Sequence, residues 1–319
     1  MERIEKAKAD LSEGAEGVIE VKSLTKNYGH GRGVFNVSFG VKKGEVFGFL
    51  GPNGAGKSTT MRHLMGFSDP ENGHCYINGA DCWKYHAYVM QNVGYLPGEV
   101  ALPEGLSGKG FLDMIRGLRK AKTDRTEELL KIFAVNIEGS VKRMSIGEKR
   151  KLAIVAAFMS DPEVLLLDEP TSGLDPVMQE VFIDFVRKEK ERGKTILLSS
   201  HIFSEVEALC DRIAIIKEGK LVSVIEAGEL THYKRKTFVV TFGEKSVYEK
   251  FLGEDFDFRL KDDDKLTLEI AVEDPECGKM IKTLTKYDVK NLVEHKQTLE
   301  EYFMHFYKSE RTFGGLSNG

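Results

Sequence analysis

The chain has 319 residues, 41% of them apolar and 30% charged, with 46 basic against 50 acidic side chains. That length exceeds one ordinary domain, and the composition is that of a core-forming chain, neither disordered nor fibrous. A formal charge of −4 offers no basic excess for nucleic acid, and four scattered cysteines without a CxxC pair argue against a disulfide scaffold or zinc module and fit a reducing cytosol.

Residues 1–16 read as a solvated tail; their charged texture lacks an apolar signal core. The longest apolar stretches, such as Leu152–Met159, fall far short of the roughly 20 residues a spanning helix needs, so any membrane role passes through a partner. Val18–Val21 and Val37–Val41 are predicted strands around the turn Tyr28-Gly29-His30-Gly31. Glu45–Leu50 is an apolar strand ending in a glycine-rich turn, and a helix begins near Lys57 and runs toward Gly66. The stretch from Gly98 to Ser160 is mostly helical in pattern and reads as an insertion. Glu163–Leu167 and Thr195–Ser199 are continuous apolar runs, as strands buried on both faces require. Helix Val177–Arg192 joins them into a parallel strand–helix–strand unit. Arg212–Ile216 and Lys220–Ile225 form a hairpin. Beyond Gly228 the order is strand Thr237–Phe242, helix Lys245–Leu252, strands Phe256–Leu260 and Leu266–Val272, helix Pro275–Tyr287 and strand Val289–His295, a ferredoxin-like α+β plait. A last helix covers Thr298–Tyr307. The reading therefore divides the chain into a tail at 1–16, an α/β domain at 17–228 with a helical subdomain at about 98–160, an accessory domain at 229–308 and a tail at 309–319.

Gly51-Pro52-Asn53-Gly54-Ala55-Gly56-Lys57-Ser58 satisfies GxxxxGK[ST], between a strand and a helix as the motif demands. The glycines bring backbone N–H groups against phosphate oxygens, and the helix N-terminus adds free donors and partial positive charge. Lys57 sets a cation on the β- and γ-phosphates, the Ser58 hydroxyl suits Mg²⁺, and Thr59 reaches the α-phosphate. Far along the chain, Val164–Glu169 is an apolar strand ending in two carboxylates. Asp168 would hold Mg²⁺, directly or through water, and Glu169 would polarise the attacking water as general base.

With these motifs on view, residues 18–228 resemble the nucleotide-binding subunits of ABC transporters, a P-loop NTPase fold with a helical subdomain. The resemblance implies that Tyr28 stacks on adenine and that Gly51–Thr59 is the family's phosphate loop. Met144-Ser145-Ile146-Gly147-Glu148 stands in the place of the LSGGQ signature. Ser172-Gly173-Leu174-Asp175 matches the loop that crosses to a partner subunit, and His201 the histidine on the γ-phosphate. Ser145, Gly147 and Asp175 are then expected to act on ATP held by a second copy, while Ser145 with Glu148 also fits an ordinary helix capping box. Two departures stand out. Ile146 and Glu148 replace the signature's glycine and Gln, and Gly98 stands where a Mg²⁺-sensing Gln is usual, leaving Glu99 or water to substitute. The region after Gly228, ending in a TLEEYF helix, resembles bacterial drug-exporter ATPases of the daunorubicin-resistance type, whose permease is a separate polypeptide. The expectation is an ATP- and Mg²⁺-dependent ATPase, peripheral on the cytoplasmic face of the plasma membrane. Its partners would be a membrane permease and a second nucleotide-binding subunit, homo- or heterodimeric, with no nucleic acid. The alternative is a soluble ATPase or a nucleotide-switched module without transport.

Overall fold

The computed structural model describes residues 17–119, 123–228, 235–295 and 299–308. The tails expected at 1–16 and 309–319, and the start of the last helix at Thr298, lie outside the described residues. The chain divides into two compact units, with the division between Glu226 and Ala227.

The first unit holds two sheets. One is antiparallel, in the order β2 (Arg32–Val41), β1 (Ile19–Gly29), β4 (Asn72–Ile77), β5 (Ala80–Asp81). The other has six strands in the order β10 (Lys220–Glu226), β9 (Arg212–Lys217), β3 (Val46–Leu50), β8 (Thr195–Ser200), β7 (Val164–Asp168), β6 (Val93–Leu96). Neighbours from β9 to β6 run parallel, and only β10 is antiparallel to its partner. Every residue of β3, β7 and β8 is buried, which is why these segments show no polar alternation. One core joins both sheets: Ile19, Leu24, Val34 and Val37 meet Phe47 and Phe49 of β3, Leu166 of β7 and Leu197 of β8. Helix α1 (Lys57–Leu64) adds Met61 and Leu64 to it, so the helix that follows the phosphate loop is anchored from below.

The segment after β5 forms α2 (His86–Asn92), passes through β6, and continues into α3 (Gly108–Arg119) and α4 (Thr126–Ile132). A 3₁₀ turn at Val141–Arg143 leads to α5 (Ile146–Phe158), which is buried along most of its length. Helix α6 (Pro176–Glu191) presents Phe185 to Phe133 and Phe158, edge-on with ring centroids 5.2 and 5.0 Å away. A short α7 (Phe203–Leu209) follows β8.

The second unit runs β11 (Arg235–Phe242), α8 (Lys245–Phe251), β12 (Asp257–Asp262), β13 (Thr267–Glu273), α9 (Cys277–Leu284), β14 (Val289–His295) and α10 (Leu299–Lys308). Its sheet order is β12-β13-β11-β14, with every neighbouring pair antiparallel, which is the topology of a split β-α-β plait. Val240, Phe242, Leu268 and Ile270 of the sheet pack with Tyr248 and Phe251 of α8 and Met280 of α9. Asp274–Glu276 forms a 3₁₀ turn, so α9 starts later than the sequence pattern suggests.

Candidate nucleotide site

Strand order creates the site. β8 lies between β3 and β7, with Leu50 beside Ser200 and Asp168 beside Ser199. The loop leaving β3 and the acids ending β7 therefore converge at the carboxyl ends of adjacent parallel strands. The loop closes tightly: Gly54 and Gly56 hold positive φ of 83° and 109°. At Gly56 a Cβ would fall 2.6 Å from Val34 Cγ1, so no larger residue fits that backbone. α1 begins at Lys57 without a side-chain cap, leaving its first-turn N–H groups available to an anion.

The Lys57 ammonium is buried and donates to the carbonyls of Gly51 at 2.6 Å and Pro52 at 3.2 Å. It also lies 2.9 Å from Glu169 Oε1, and His201 Nδ1 lies 2.5 Å from Glu169 Oε2. Lys57, Glu169 and His201 thus form one continuous polar chain from residues far apart in sequence. Glu169 adopts a left-handed φ of 48°, unusual for a non-glycine residue, and its N–H bonds both the carbonyl and the hydroxyl of Ser199 at 3.1 and 3.2 Å. The Ser199 hydroxyl donates to Asp168 as well, so one serine fixes both acids.

Tyr28, half exposed at the end of β1, lines a cleft of about 470 Å³ with Arg32, Gly33, the Pro52–Thr59 segment and Glu169. Pro52, Asn53, Gly54 and Ser58 are exposed there, whereas Gly51 and Ala55 are buried and shape the loop from behind. Arg32 and Gly33 escaped the sequence reading. Their signal is the hairpin register, which sets Gly29 against Arg32 and so carries Arg32 to the side of Tyr28. The residues that would hold a metal are Ser58, through its hydroxyl, and Asp168, through its carboxylate. These hard oxygens suit Mg²⁺, which takes one or two protein ligands and completes its shell with phosphate and water.

Ser145, Gly147 and Asp175 are not among the residues lining this cleft. They sit at the starts of α5 and α6. Gly147 faces Gly173, where an added Cβ would meet the Gly173 carbonyl at 3.1 Å, and Ile146 is 79% exposed. Ser145 caps α5 in a complete capping box: its hydroxyl accepts from Glu148 N–H, and Glu148 Oε2 accepts from Ser145 N–H at 2.8 Å. Those bonds, the backbone one foremost, lower the Glu148 pKa. Asp175 caps α6 through Met178 N–H at 3.0 Å.

Gly98 lies against Asp168, and a Cβ there would approach Asp168 Oδ2 to 3.1 Å; Glu99 beside it is exposed. Arg150, also missed from sequence, ties this stretch to the 172–175 loop. Its buried guanidinium donates to the carbonyls of Ser172 at 2.9 Å, Pro97 at 2.7 Å and Gly98. Burial lowers its pKa, which Asp168 and Glu169 oppose. Glu205, likewise missed, is buried at the start of α7 and accepts from the Ser200 hydroxyl at 2.6 Å. Burial pushes its pKa up to about 7 against the hydrogen bonds of Ser200 and Thr171, with Glu169 raising it further.

Residues 34–172 match the family profile described as ABC transporter, a span that holds the phosphate loop, both acids and the start of α5. An "uncharacterized ABC transporter ATP-binding protein YhcH" of Bacillus subtilis (strain 168) is 40% identical over 213 residues, 65% of this chain and 69% of that protein. The chain belongs to the ATP-binding subunits of ABC transporters. It is similar along most of its length to the "bacitracin transport ATP-binding protein BcrA" of Bacillus licheniformis, 32% identical over 298 residues, 90% of this chain and 96% of that protein. A solved ATP-binding subunit of an ABC transporter superposes with a TM-score of 0.62 at 30% identity, covering 67% of this chain and 91% of that one. ATP is therefore the nucleotide that this chain binds, and ATP hydrolysis its reaction. Among the described residues no helix is long and apolar enough to cross a membrane.

Proposed function

We propose that this subunit hydrolyses ATP at a seam between two copies of the cassette and so powers export through a separate membrane permease. The observation that carries the reading is the separation of the two half-sites. Lys57 and Glu169 line an open cleft, with His201 bonded to Glu169, while Gly147 packs against Gly173 and neither it nor Ser145 is among the residues lining the cleft. Each protomer thus offers one half of each of two composite sites.

Tyr28 stacks on the adenine, and the Gly51–Thr59 backbone takes the phosphates. Mg²⁺ held by Ser58 and Asp168 would neutralise phosphate charge. Arrival of the γ-phosphate draws Lys57 off Glu169, which frees that carboxylate to orient water for in-line attack. His201 shares the developing charge. Ser145 and Gly147 of the second copy bond the same γ-phosphate, with Asp175 at the crossing loop, so ATP favours the closed pair through contacts absent from the open one. Release of phosphate breaks the bridge, and the 98–160 block, with Gly98 and Glu99 at its entrance, passes the change to the permease. The names of relatives such as the bacitracin transport protein favour a drug, peptide or other small molecule as cargo. The subunit would lie peripherally on the cytoplasmic face of the plasma membrane.

Glu169→Gln tests the base directly. Phosphate release should fall roughly 10²–10⁴-fold with ATP affinity retained. Unchanged turnover removes Glu169 from that role.

A further inference from the structure

β14 is an edge strand of the second unit's sheet, paired on one side with β11 and, among the described residues, with nothing on the other. Its residues Lys290 to His295 are all exposed, including Leu292 at 42% and Val293 at 50%. An edge strand presents a row of N–H and C=O groups that another strand can take. Among the described residues neither Lys290 nor Glu294 has an ion-pair partner, although they flank Leu292 on the same face two positions to either side.

We infer that β14 is a docking edge for β14 of a second copy, joined antiparallel about a two-fold axis at Leu292. The sequence Lys290-Asn291-Leu292-Val293-Glu294 is its own complement in that register. Leu292 faces Leu292, and Lys290 of each copy faces Glu294 of the other, so apolar contact is flanked by opposite charges on both sides. A continuous sheet keeps each facing pair on one side of the pleat, so a two-fold seam must centre on a residue. Centring on Asn291 sets Lys290 against Leu292, and centring on Val293 sets Leu292 against Glu294; neither pairs the charges. The opposite edge, β12, lacks this property. It carries a bulge between Phe258 and Leu260, and centring on Arg259, Leu260 or Lys261 places basic side chains opposite one another. The β14 contact is isologous and closes as a dimer rather than a fibre. It needs no nucleotide, and by holding two chains together it raises the effective concentration of each cassette for the other.

The test uses the full chain without nucleotide, with Cys277→Ser as background because the other three cysteines are buried. Facing Cβ atoms lie about 4.5–5.5 Å apart in such a pair, at the edge of disulfide reach, so Leu292→Cys should cross-link under mild oxidation and Glu294→Cys alone should not. In sedimentation, Lys290→Glu and Glu294→Lys should each weaken the dimer about tenfold or more, and the double exchange should restore it. The restoring variant separates a lost contact from a lost fold. A chain that stays monomeric and uncross-linked at high concentration overturns the inference, as does a dimer indifferent to both charges. Because nucleotide is absent throughout, that failure leaves the reading of the ATP site standing.

Discussion

Lys57 and Glu169 hold each other in the structure, yet the proposed chemistry needs them apart, one on phosphate and one on water. The consequence for Lys57→Ala is specific. The ammonium that should meet the β- and γ-phosphates is lost, and among the described residues the Glu169 carboxylate keeps only His201. ATP affinity by calorimetry should fall at least about tenfold, each charge-assisted bond contributing about 1.5–3 kcal/mol. Equal affinity would remove Lys57 from the phosphate site. Glu205 makes a prediction of a different kind. Its pKa in the fold, about 7, exceeds that of an exposed glutamate, so the folded chain holds a proton the unfolded chain has released. The stabilisation is complete below the unfolded pKa and is lost as pH rises through about 7. Glu205→Gln should therefore flatten the fall of the melting temperature between mildly acid and mildly alkaline buffers, and raise it at the alkaline end. A slope equal to that of the parent chain would show that Glu205 does not titrate there.

At the level of elements, what could be read from sequence was what is contiguous in it. Gly51–Thr59 and Val164–Glu169 each carry their chemistry in one run, with apolar strands that announce themselves by lacking polar residues. β4, β5 and α2 were not legible. Two are short, and β4 mixes glycine, histidine and asparagine in a half-buried pattern that matches neither the strand nor the helix period. β6 was hidden for another reason: Val93–Leu96 is only four residues long, contains a glycine and runs straight into Pro97 and Gly98. Arg150 and Glu205 were invisible because their partners are carbonyls and hydroxyls of remote segments, which leave no residue-type signature. Arg150 joins the start of the helical block, α5 and the 172–175 loop. Arg150→Met would leave the carbonyls of Pro97, Gly98 and Ser172 without that donor, at an expected loss of about 2–4 kcal/mol in denaturant unfolding. It should lower kcat while ATP affinity stays near the parent value, because no part of Arg150 lines the cleft. Equal loss of affinity would place it in nucleotide binding instead.

For the whole molecule, one sheet sets Lys57, Asp168, Glu169 and His201 at adjacent strand ends, and the helical block carries Ser145 and Gly147 elsewhere on the same protomer. The capping box ties up the Ser145 and Glu148 N–H groups and the Ser145 hydroxyl, so a γ-phosphate from a second copy would have to displace the Glu148 carboxylate to reach Ser145. Ile146, exposed beside Gly173, is the residue a second copy would have to accommodate. The most direct measurement is a structure of the Glu169→Gln chain with Mg²⁺ and ATP. Two nucleotides are expected, each with its triphosphate on Gly51–Thr59 of one copy and its γ-phosphate against Ser145 and Gly147 of the other. A nucleotide enclosed by a lone protomer, with residues 145–147 of every copy turned away from it, would contradict the account.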